Sequence, residues 1–402
     1  MRRLTGRQRP WLYLLALVVL CAGAAWSISL AAKLPSRERF NVVSWELRHL
    51  PNKWLYLTGR QFRGRMSPEE ENERLGRYLE LTLRIDLAAE DGSQPDELAR
   101  LEDERAGLAN DVEAIIEGRI TSVLEETGLT SSLPLFPDAR WVFPPVDTEL
   151  GEPPEELVIS PRERIELIGT RPLEAGLSLT QVNAIERKEE RDGSRSALVA
   201  PLAGVATYPS IVEPDSDYRS LVELVAHEWT HQYLFFRPLG SRFYSNNELR
   251  TLNETVATVA GQELAALVVR EYPPPGAAAE GLAALQPPAP QIDLAQALRA
   301  LRADVDALLA RGQIAAAESL MEQRRQELAQ QGAHFRRINQ AFFAFANVYA
   351  TGPGSTDPIG GKVETLLERS GNVGAFLRAA SRLTGEDALD RLLATSPDGR
   401  AR

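Results

Sequence analysis

The sequence predicts an α+β fold that is predominantly helical. Two long segments, on either side of the middle of the chain, repeat apolar residues at the spacing of one helix face. Between residues 164 and 212 the pattern changes to short β-prone runs that glycine and proline interrupt. We therefore expect helices packed around a small sheet, without an internal repeat.

The composition is that of a folded, acidic protein. The 402 residues are 44% hydrophobic and 25% charged, which is enough to bury a core in one large domain or two. The net charge of −11 argues against a nucleic-acid partner, because no basic surface is available to neutralise phosphates. Cys21 is the only cysteine, which excludes an internal disulfide and a zinc site built from thiolates.

The N-terminal segment predicts a membrane anchor. Residues 10–32 contain no charged side chain and would form a helix about 35 Å long, enough to cross a lipid bilayer. Four arginines precede this segment, which favours a cytoplasmic N-terminus in a single-pass inner (plasma) membrane protein. The rest of the chain would then be extracytoplasmic. The alternative is a signal peptide cleaved near Ala22–Ala25, which would make the protein secreted.

The chain divides into five segments: residues 1–33 as basic tail and anchor, 34–160 as a helical hairpin with a Pro-rich connection, 161–272 as a core, 273–291 as a Pro/Ala-rich linker, and 292–402 as a C-terminal helical region that completes the cleft. The hairpin is predicted to begin at the capping sequence Ser67-Pro68-Glu69-Glu70 and to break at Asp91–Pro95. Gly128 to Pro161 is predicted to be loop or isolated extended structure, because it contains seven prolines.

The later segments predict strands and then two helices. The β-prone runs are Ile165–Ile168, Ser178–Ile185, Ser196–Leu202 and Val205–Val212, with a turn at Arg191–Ser194. One C-terminal helix is predicted to contain Leu294 to Leu308, and a second to run from Ile314 towards Tyr349.

The sequence His227-Glu228-Trp229-Thr230-His231 predicts a metal site. Histidines four residues apart lie on the same face of a helix, so both imidazoles can bind one ion. Glu228 follows the first histidine, where its carboxylate can act on a water molecule that the metal activates. A core helix with satisfied histidines is the alternative, but a buried glutamate there would need an ionic partner.

A zinc site of this kind needs a third protein ligand. The next histidine along the chain, His334, is about a hundred residues away, so the acidic candidates downstream are Glu248, Glu254 and Glu263. Glu254 is favoured because the apolar residues that follow it predict a buried helix beside the first one.

Together, His227-Glu228-Trp229-Thr230-His231 and Asn253-Glu254-Thr255-Val256-Ala257 resemble the gluzincin clan of thermolysin-like and aminopeptidase-like metallopeptidases. They are similar in particular to bacterial putative aminopeptidase families. The resemblance implies a zincin-like core, in which a small sheet with an edge strand accompanies an active-site helix and a glutamate-ligand helix. It also implies one Zn²⁺ ion bound by His227, His231 and Glu254, with Glu228 as the general base.

The resemblance further implies a substrate strand and an oxyanion-stabilising side chain. Proline in the run Ala203–Val212 suits an edge strand that pairs with an extended peptide, although an ordinary core strand is the alternative. Tyr349 is our candidate for the oxyanion donor, ahead of His334 and His49, although a core tyrosine would explain the same pattern.

These observations predict a membrane-anchored zinc peptidase. Its partners would be a peptide or protein substrate and, through residues 10–32, the lipid bilayer. Two alternatives remain open: a non-catalytic, membrane-anchored helical scaffold with a structural zinc site, and a zinc hydrolase that acts on non-peptide bonds.

Overall fold

A computed structural model describes the chain over residues 39–42, 45, 66–90, 95–133, 136–274 and 292–394. The described part is α+β and mostly helical, as predicted. It contains no helix that is both long enough and apolar enough to cross a membrane. The predicted anchor, residues 10–32, and His49 lie outside the described residues, as does almost all of the predicted linker.

The described helices are α1 Pro68–Glu90, α2 Pro95–Glu126, α3 Leu179–Glu189, α4 Tyr218–Phe235, α5 Pro238–Ser241, α6 Asn247–Glu271, α7 Leu294–Leu309, α8 Ile314–Gln330, α9 Gln340–Ala346, α10 Ile359–Ser370, α11 Val373–Ala380 and α12 Glu386–Ala394. The strands are β1 Thr130–Leu133, β2 Phe136–Val142, β3 Thr148–Leu150, β4 Glu155–Pro161, β5 Gly169–Leu173, β6 Arg195–Pro201, β7 Gly204–Val205 and β8 Ser210–Val212.

These strands form three small sheets instead of one. β1 and β2 make an antiparallel pair, β4 lies between β5 and β6 in an antiparallel sheet, and β8 lies between β3 and β7. The third sheet is mixed, because β3 runs parallel and β7 antiparallel to β8. β7 is therefore an edge strand.

The predicted helical hairpin is confirmed as α1 and α2. At its start the Ser67 hydroxyl accepts the backbone N–H of Glu70, and a Glu70 carboxylate oxygen accepts the backbone N–H of Ser67 at 2.9 Å. This reciprocal capping box satisfies N–H groups that a helix start leaves unpaired. The hairpin shares the largest hydrophobic core with α4, α6 and the last three helices, so it contributes to the packing that supports α4 and α6.

Two predictions in the β-rich region are wrong. The run Ser178–Ile185 is not a strand but the start of α3, because the Ser178 and Gln181 side chains form a capping box there. A cap of this kind nucleates a helix in spite of β-prone residues. The strand predicted at Ile165–Ile168 instead begins at Gly169. The predicted strand Ser196–Leu202 is confirmed as β6, and the turn Arg191–Ser194 precedes it.

Two further predictions are corrected. The Pro-rich stretch that was predicted to be loop or isolated extended structure contains β4, which is not isolated but is the central strand of its sheet. Its prolines lie at the ends of the buried run Leu157–Ile159 and so leave that run free to pair. The helix predicted from Ile314 towards Tyr349 is divided into α8 and α9. Gly332 has a φ of +87° and Asn339 caps α9, so both residues interrupt the helix.

Candidate metal centre

The candidate site lies between helices α4 and α6, which pack directly against each other. At Gly261 of α6 an added Cβ atom would lie 2.9 Å from the backbone oxygen of Glu223 and 3.3 Å from the Cβ atom of His227. Only glycine allows the two backbones to approach so closely here. This contact sets α6 beside the turn of α4 that carries the histidines.

The rotation of α4 about its axis is fixed by its buried face. Trp229 is 1% exposed, and its indole N–H donates to the backbone oxygen of Pro144 at 2.9 Å. The Thr230 hydroxyl donates to the backbone oxygen of Ala226, one turn earlier. With these two side chains directed into the core, His227 and His231 face α6 on the neighbouring stripe of the helix.

Three potential ligand atoms converge between the helices. The Nε2 atoms of His227 and His231 lie 3.1 Å apart, and the Oε2 atom of Glu254 lies 3.4 Å from the first and 3.2 Å from the second. The three predicted ligands therefore form one cluster, although they are separated by up to 27 positions in the sequence.

The spacing of these atoms fits a metal ion. Tetrahedral zinc with bonds of about 2.0–2.1 Å separates its ligand atoms by about 3.3 Å, and the three observed distances of 3.1–3.4 Å lie around that value. No fourth His, Cys, Asp or Glu of the described residues joins the cluster. Two imidazoles and one carboxylate, with a position left for water, form the donor set of a catalytic zinc site.

The electrostatics of the cluster also favour a cation. Burial lowers the pKa of His231, but the Glu254 carboxylate outweighs burial and raises that pKa to about 9. Burial raises the pKa of Glu254, but His231 and His227 outweigh it and leave the pKa lowered. Without a bound ion, a proton on His231 compensates the negative charge of the Glu254 carboxylate. A divalent cation can replace that proton.

Asn253 orients one of the histidines. Its Oδ1 atom lies 2.7 Å from Nδ1 of His231, and the residue is 1% exposed. An amide oxygen only accepts hydrogen bonds, so Nδ1 must carry the hydrogen, and in the neutral ring the lone pair is on Nε2. That atom is the one that faces Glu254. In the sequence alone, the one feature that singles out Asn253 is its position directly before Glu254.

Glu228 lies beside the cluster without belonging to it. The side chain is 5% exposed, and its carboxylate interacts electrostatically with both histidines and with Glu254. Burial raises its pKa and outweighs the charges of His227 and His231, which lower it; the nearby Glu254 charge adds to the rise. Glu228 packs against β7, where an added Cβ atom at Gly204 would lie 2.5 Å from its Oε1 atom. A glycine at that position leaves the space that the carboxylate fills.

The hairpin of β7 and β8 is attached to α4. The Gln232 side-chain amide donates to the backbone oxygen of Thr207 at 2.6 Å and to the hydroxyl of Ser210 at 2.8 Å. Both acceptors lie at or next to the turn of this hairpin. The predicted run Val205–Val212 is thus divided between an edge strand and a central strand, and the edge strand is the one beside Glu228.

Tyr349 lies close to the cluster. Its ring centroid is 6.4 Å from that of His227, and its pKa is raised well above the usual range by burial and by the charges of Glu254 and Glu228. The backbone N–H of Ala350 donates to the Thr255 hydroxyl, which ties this turn to α6. His334, in contrast, is exposed and lies in the segment between α8 and α9.

The two other acidic candidates are not near the histidines. Glu248 is exposed, and its carboxylate accepts the backbone N–H of Glu386 at 2.7 Å, at the start of α12. Glu263 lies more than two turns after Glu254 on α6 and is not part of the cluster. Of the three candidates, only Glu254 reaches the imidazoles.

Sequence reasoning assigned no role to four residues that shape this site. Asn253, Gly204, Gly261 and Gln232 act through contacts with residues at least 22 positions away. The only local signal was that Gly204 interrupts a β-prone run. No protein-family model matches the chain, and comparisons with curated proteins and with solved structures yield no significant match.

Proposed function

We propose that this protein is a zinc-dependent peptidase. The convergence of His227, His231 and Glu254, with their ligand atoms 3.1–3.4 Å apart, is the observation that carries the proposal. These three side chains would hold the ion. A zinc ion bound there would supply a Lewis acid for the scissile carbonyl and lower the pKa of a water molecule to about 7.

The residues around the cluster have complementary roles in hydrolysis. Glu228 takes the proton of the attacking water and delivers it to the leaving amine. Gly204 leaves the space that this carboxylate occupies, and Asn253 keeps the His231 ring oriented. Tyr349, whose ring lies beside His227, is the candidate donor to the oxyanion that forms during the reaction.

An extended peptide is the substrate that the surroundings favour. β7 lies at the edge of its sheet, so one side of it has no strand partner among the described residues. A peptide that adds a strand there would satisfy the backbone of β7 and pass next to Glu228. A hydrolase of non-peptide bonds would share the metal chemistry, but it would have no need of such an edge.

A peptide-cleavage screen tests the proposal. The full chain in a non-ionic detergent is loaded with zinc and incubated with a peptide library and with ester and phosphodiester substrates. We expect cleavage of peptides, its loss in His231→Ala, and its retention in Glu248→Gln, which changes an exposed acid of α6, the helix that carries Glu254. Cleavage of esters or phosphodiesters alone would refute the peptidase proposal, and turnover in His231→Ala equal to that of the wild type would refute the site.

A further inference from the structure

A second cleft lies at the C-terminal end of α4, where three helices end. It has a volume of about 280 Å³, and its lining includes Tyr233, Arg237, Arg378, Ser381 and Arg382. This exceeds several-fold the roughly 30 Å³ that one water molecule occupies in the liquid. Tyr233 and His231 point to different sides of α4, because they are two positions apart on the helix.

The cleft concentrates positive charge on an acidic protein. Within the described ranges, no carboxylate forms an ion pair with Arg237, Arg378 or Arg382, unlike the arginines at positions 250 and 336, which each pair with a glutamate. The whole chain carries a net charge of −11. Three guanidinium groups without acidic partners around one cavity are therefore not explained by the general charge balance.

Helix capping accounts for only part of this arrangement. Arg378 donates to the backbone oxygen of Gly128, just after α2, and Arg237 donates to that of Tyr233 in α4. Three helix C-termini carry together about −1.5 elementary charges, at −0.5 each. Three arginines supply +3, so the cleft keeps a net positive charge. Arg382 makes no side-chain hydrogen bond among the described residues, which leaves its guanidinium available to a ligand.

The lining matches the chemistry of a phosphate group. Guanidinium groups bind phosphate oxygens through paired N–H donors. The hydroxyl group of Ser131 also lines the cleft and can donate to the same oxygens. Burial lowers the pKa of Arg237, but an arginine remains charged at neutral pH. A carboxylate ligand would use fewer of these donors than a tetrahedral anion.

We propose that this cleft binds a phosphate group, either as free inorganic phosphate or as the phosphomonoester headgroup of a lipid. Phe235 and Phe236, between two lining residues in the sequence, are 49% and 50% exposed. They offer an apolar surface that acyl chains could cover, so both sources are tested. The proposal is independent of the metal centre.

Thermal unfolding and calorimetric titration of the full chain in a non-ionic detergent test this site. The ligands are inorganic phosphate, short-chain phosphatidate and, as a control, short-chain phosphatidylcholine, all at matched ionic strength. A ligand that binds only the folded state raises the unfolding temperature. We expect phosphate or phosphatidate to raise it, and phosphatidylcholine to leave it unchanged.

Two arginine variants locate the binding site. Arg382→Ala should weaken phosphate binding about tenfold or more, because one charge-assisted contact is lost. Arg311→Ala removes the same charge from an exposed arginine that follows α7 and should have no effect. A response to phosphatidate alone would identify a lipid headgroup as the source of the bound phosphate group. A response to inorganic phosphate alone would identify the free anion.

Three results would overturn the proposal. One is no response to either phosphate ligand. Another is a response that Arg382→Ala and Arg311→Ala change equally, which would indicate a general charge effect. The third is a response that survives in Arg382→Ala but disappears in His231→Ala, since this would place the anion at the metal centre.

Discussion

Nδ1 of His231 lies 2.7 Å from Oδ1 of Asn253, the residue that directly precedes Glu254 on α6. The helix that provides the third potential ligand therefore also orients the second. Because the amide oxygen can only accept, it holds the hydrogen on Nδ1 and directs the Nε2 lone pair towards the cluster.

Asn253→Ala should weaken zinc binding by about 10- to 100-fold, the usual effect of losing a partner that orients a ligand. The affinity is measured by competition with a chromophoric chelator. Asn253→Asp keeps an acceptor oxygen and should therefore lose less zinc affinity than Asn253→Ala. Glu263→Gln, a change elsewhere on α6, serves as the control. Equal affinities for Asn253→Ala and the wild type would show that the contact does not orient His231.

Gly204→Ala should reduce peptide cleavage by about a hundredfold while zinc remains bound. The added methyl group would overlap Oε1 of Glu228 at 2.5 Å, so the carboxylate must move, and a shift of about 1 Å can cost that much activity. Activity and zinc content are measured on the same preparation.

The matched control for this substitution is Gly169→Ala. Gly169 also lies in a strand, but an added Cβ atom there meets no heavy atom within 4 Å. Its activity should stay close to that of the wild type. If Gly204→Ala were fully active, Glu228 would not need its observed position.

Gly261→Ala should lower the free energy of unfolding by about 1 kcal/mol and weaken zinc binding. Overpacking costs about 1–3 kcal/mol, and the higher helix propensity of alanine returns up to about 1 kcal/mol. The contact at 2.9 Å is with the backbone of α4, which cannot move without displacing His227. Urea unfolding measures the change.

Gly118→Ala should change the free energy of unfolding in the opposite direction. This glycine lies within α2, and an added Cβ atom would have no neighbour within 4 Å. Only the propensity gain remains, so the protein should become more stable by up to about 1 kcal/mol. The interpretation of Gly261 would fail if both variants were stabilised equally.

Glu186 predicts a pH dependence of stability. Its carboxylate is 2% exposed and pairs with Arg336 and Arg337, and it accepts the backbone N–H of Val199. Burial alone would raise its pKa, but the Arg336 hydrogen bond, the Val199 N–H and the arginine charges outweigh it and lower the pKa. A lowered folded-state pKa gives stability that is present above the unfolded value of about 4.3 and lost as the pH falls through the folded value.

Glu186→Gln should therefore cost about 2 kcal/mol at pH 7, less than the loss of a fully buried pair because both arginines are partly exposed. The difference from the wild type should shrink as the pH falls below about 4. Urea unfolding across this pH range measures both values, with Glu364→Gln, an exposed residue of α10, as the control. A difference that is independent of pH would contradict the ionic origin.

The spacing of His227 and His231 was sufficient to predict that their imidazoles lie together, because helix geometry places residues four apart on one side. Glu254 could be predicted because the apolar residues after it indicated a buried helix. The contacts of Asn253 and Gly204 depend on how α6 and β7 pack against α4, and no local pattern in the sequence determines such packing.

The fold was predictable to a similar extent. Helical periodicity identified α1, α2 and α7, whereas the strands were harder to place because short runs carry little periodic signal. Ser178 and Gln181 show the limit clearly: their capping box was visible in the sequence, but the β-prone residues after it favoured the wrong element.

Zinc content and peptide cleavage, measured together for the wild type and Glu228→Gln, show whether this protein hydrolyses peptides with a bound zinc ion and Glu228 as the base. Glu228 is not a ligand, so the variant should retain one zinc ion per chain and lose cleavage by a factor of about 100 or more. A wild-type protein that binds no zinc, or a Glu228→Gln variant that cleaves as fast as the wild type, would contradict the proposed function.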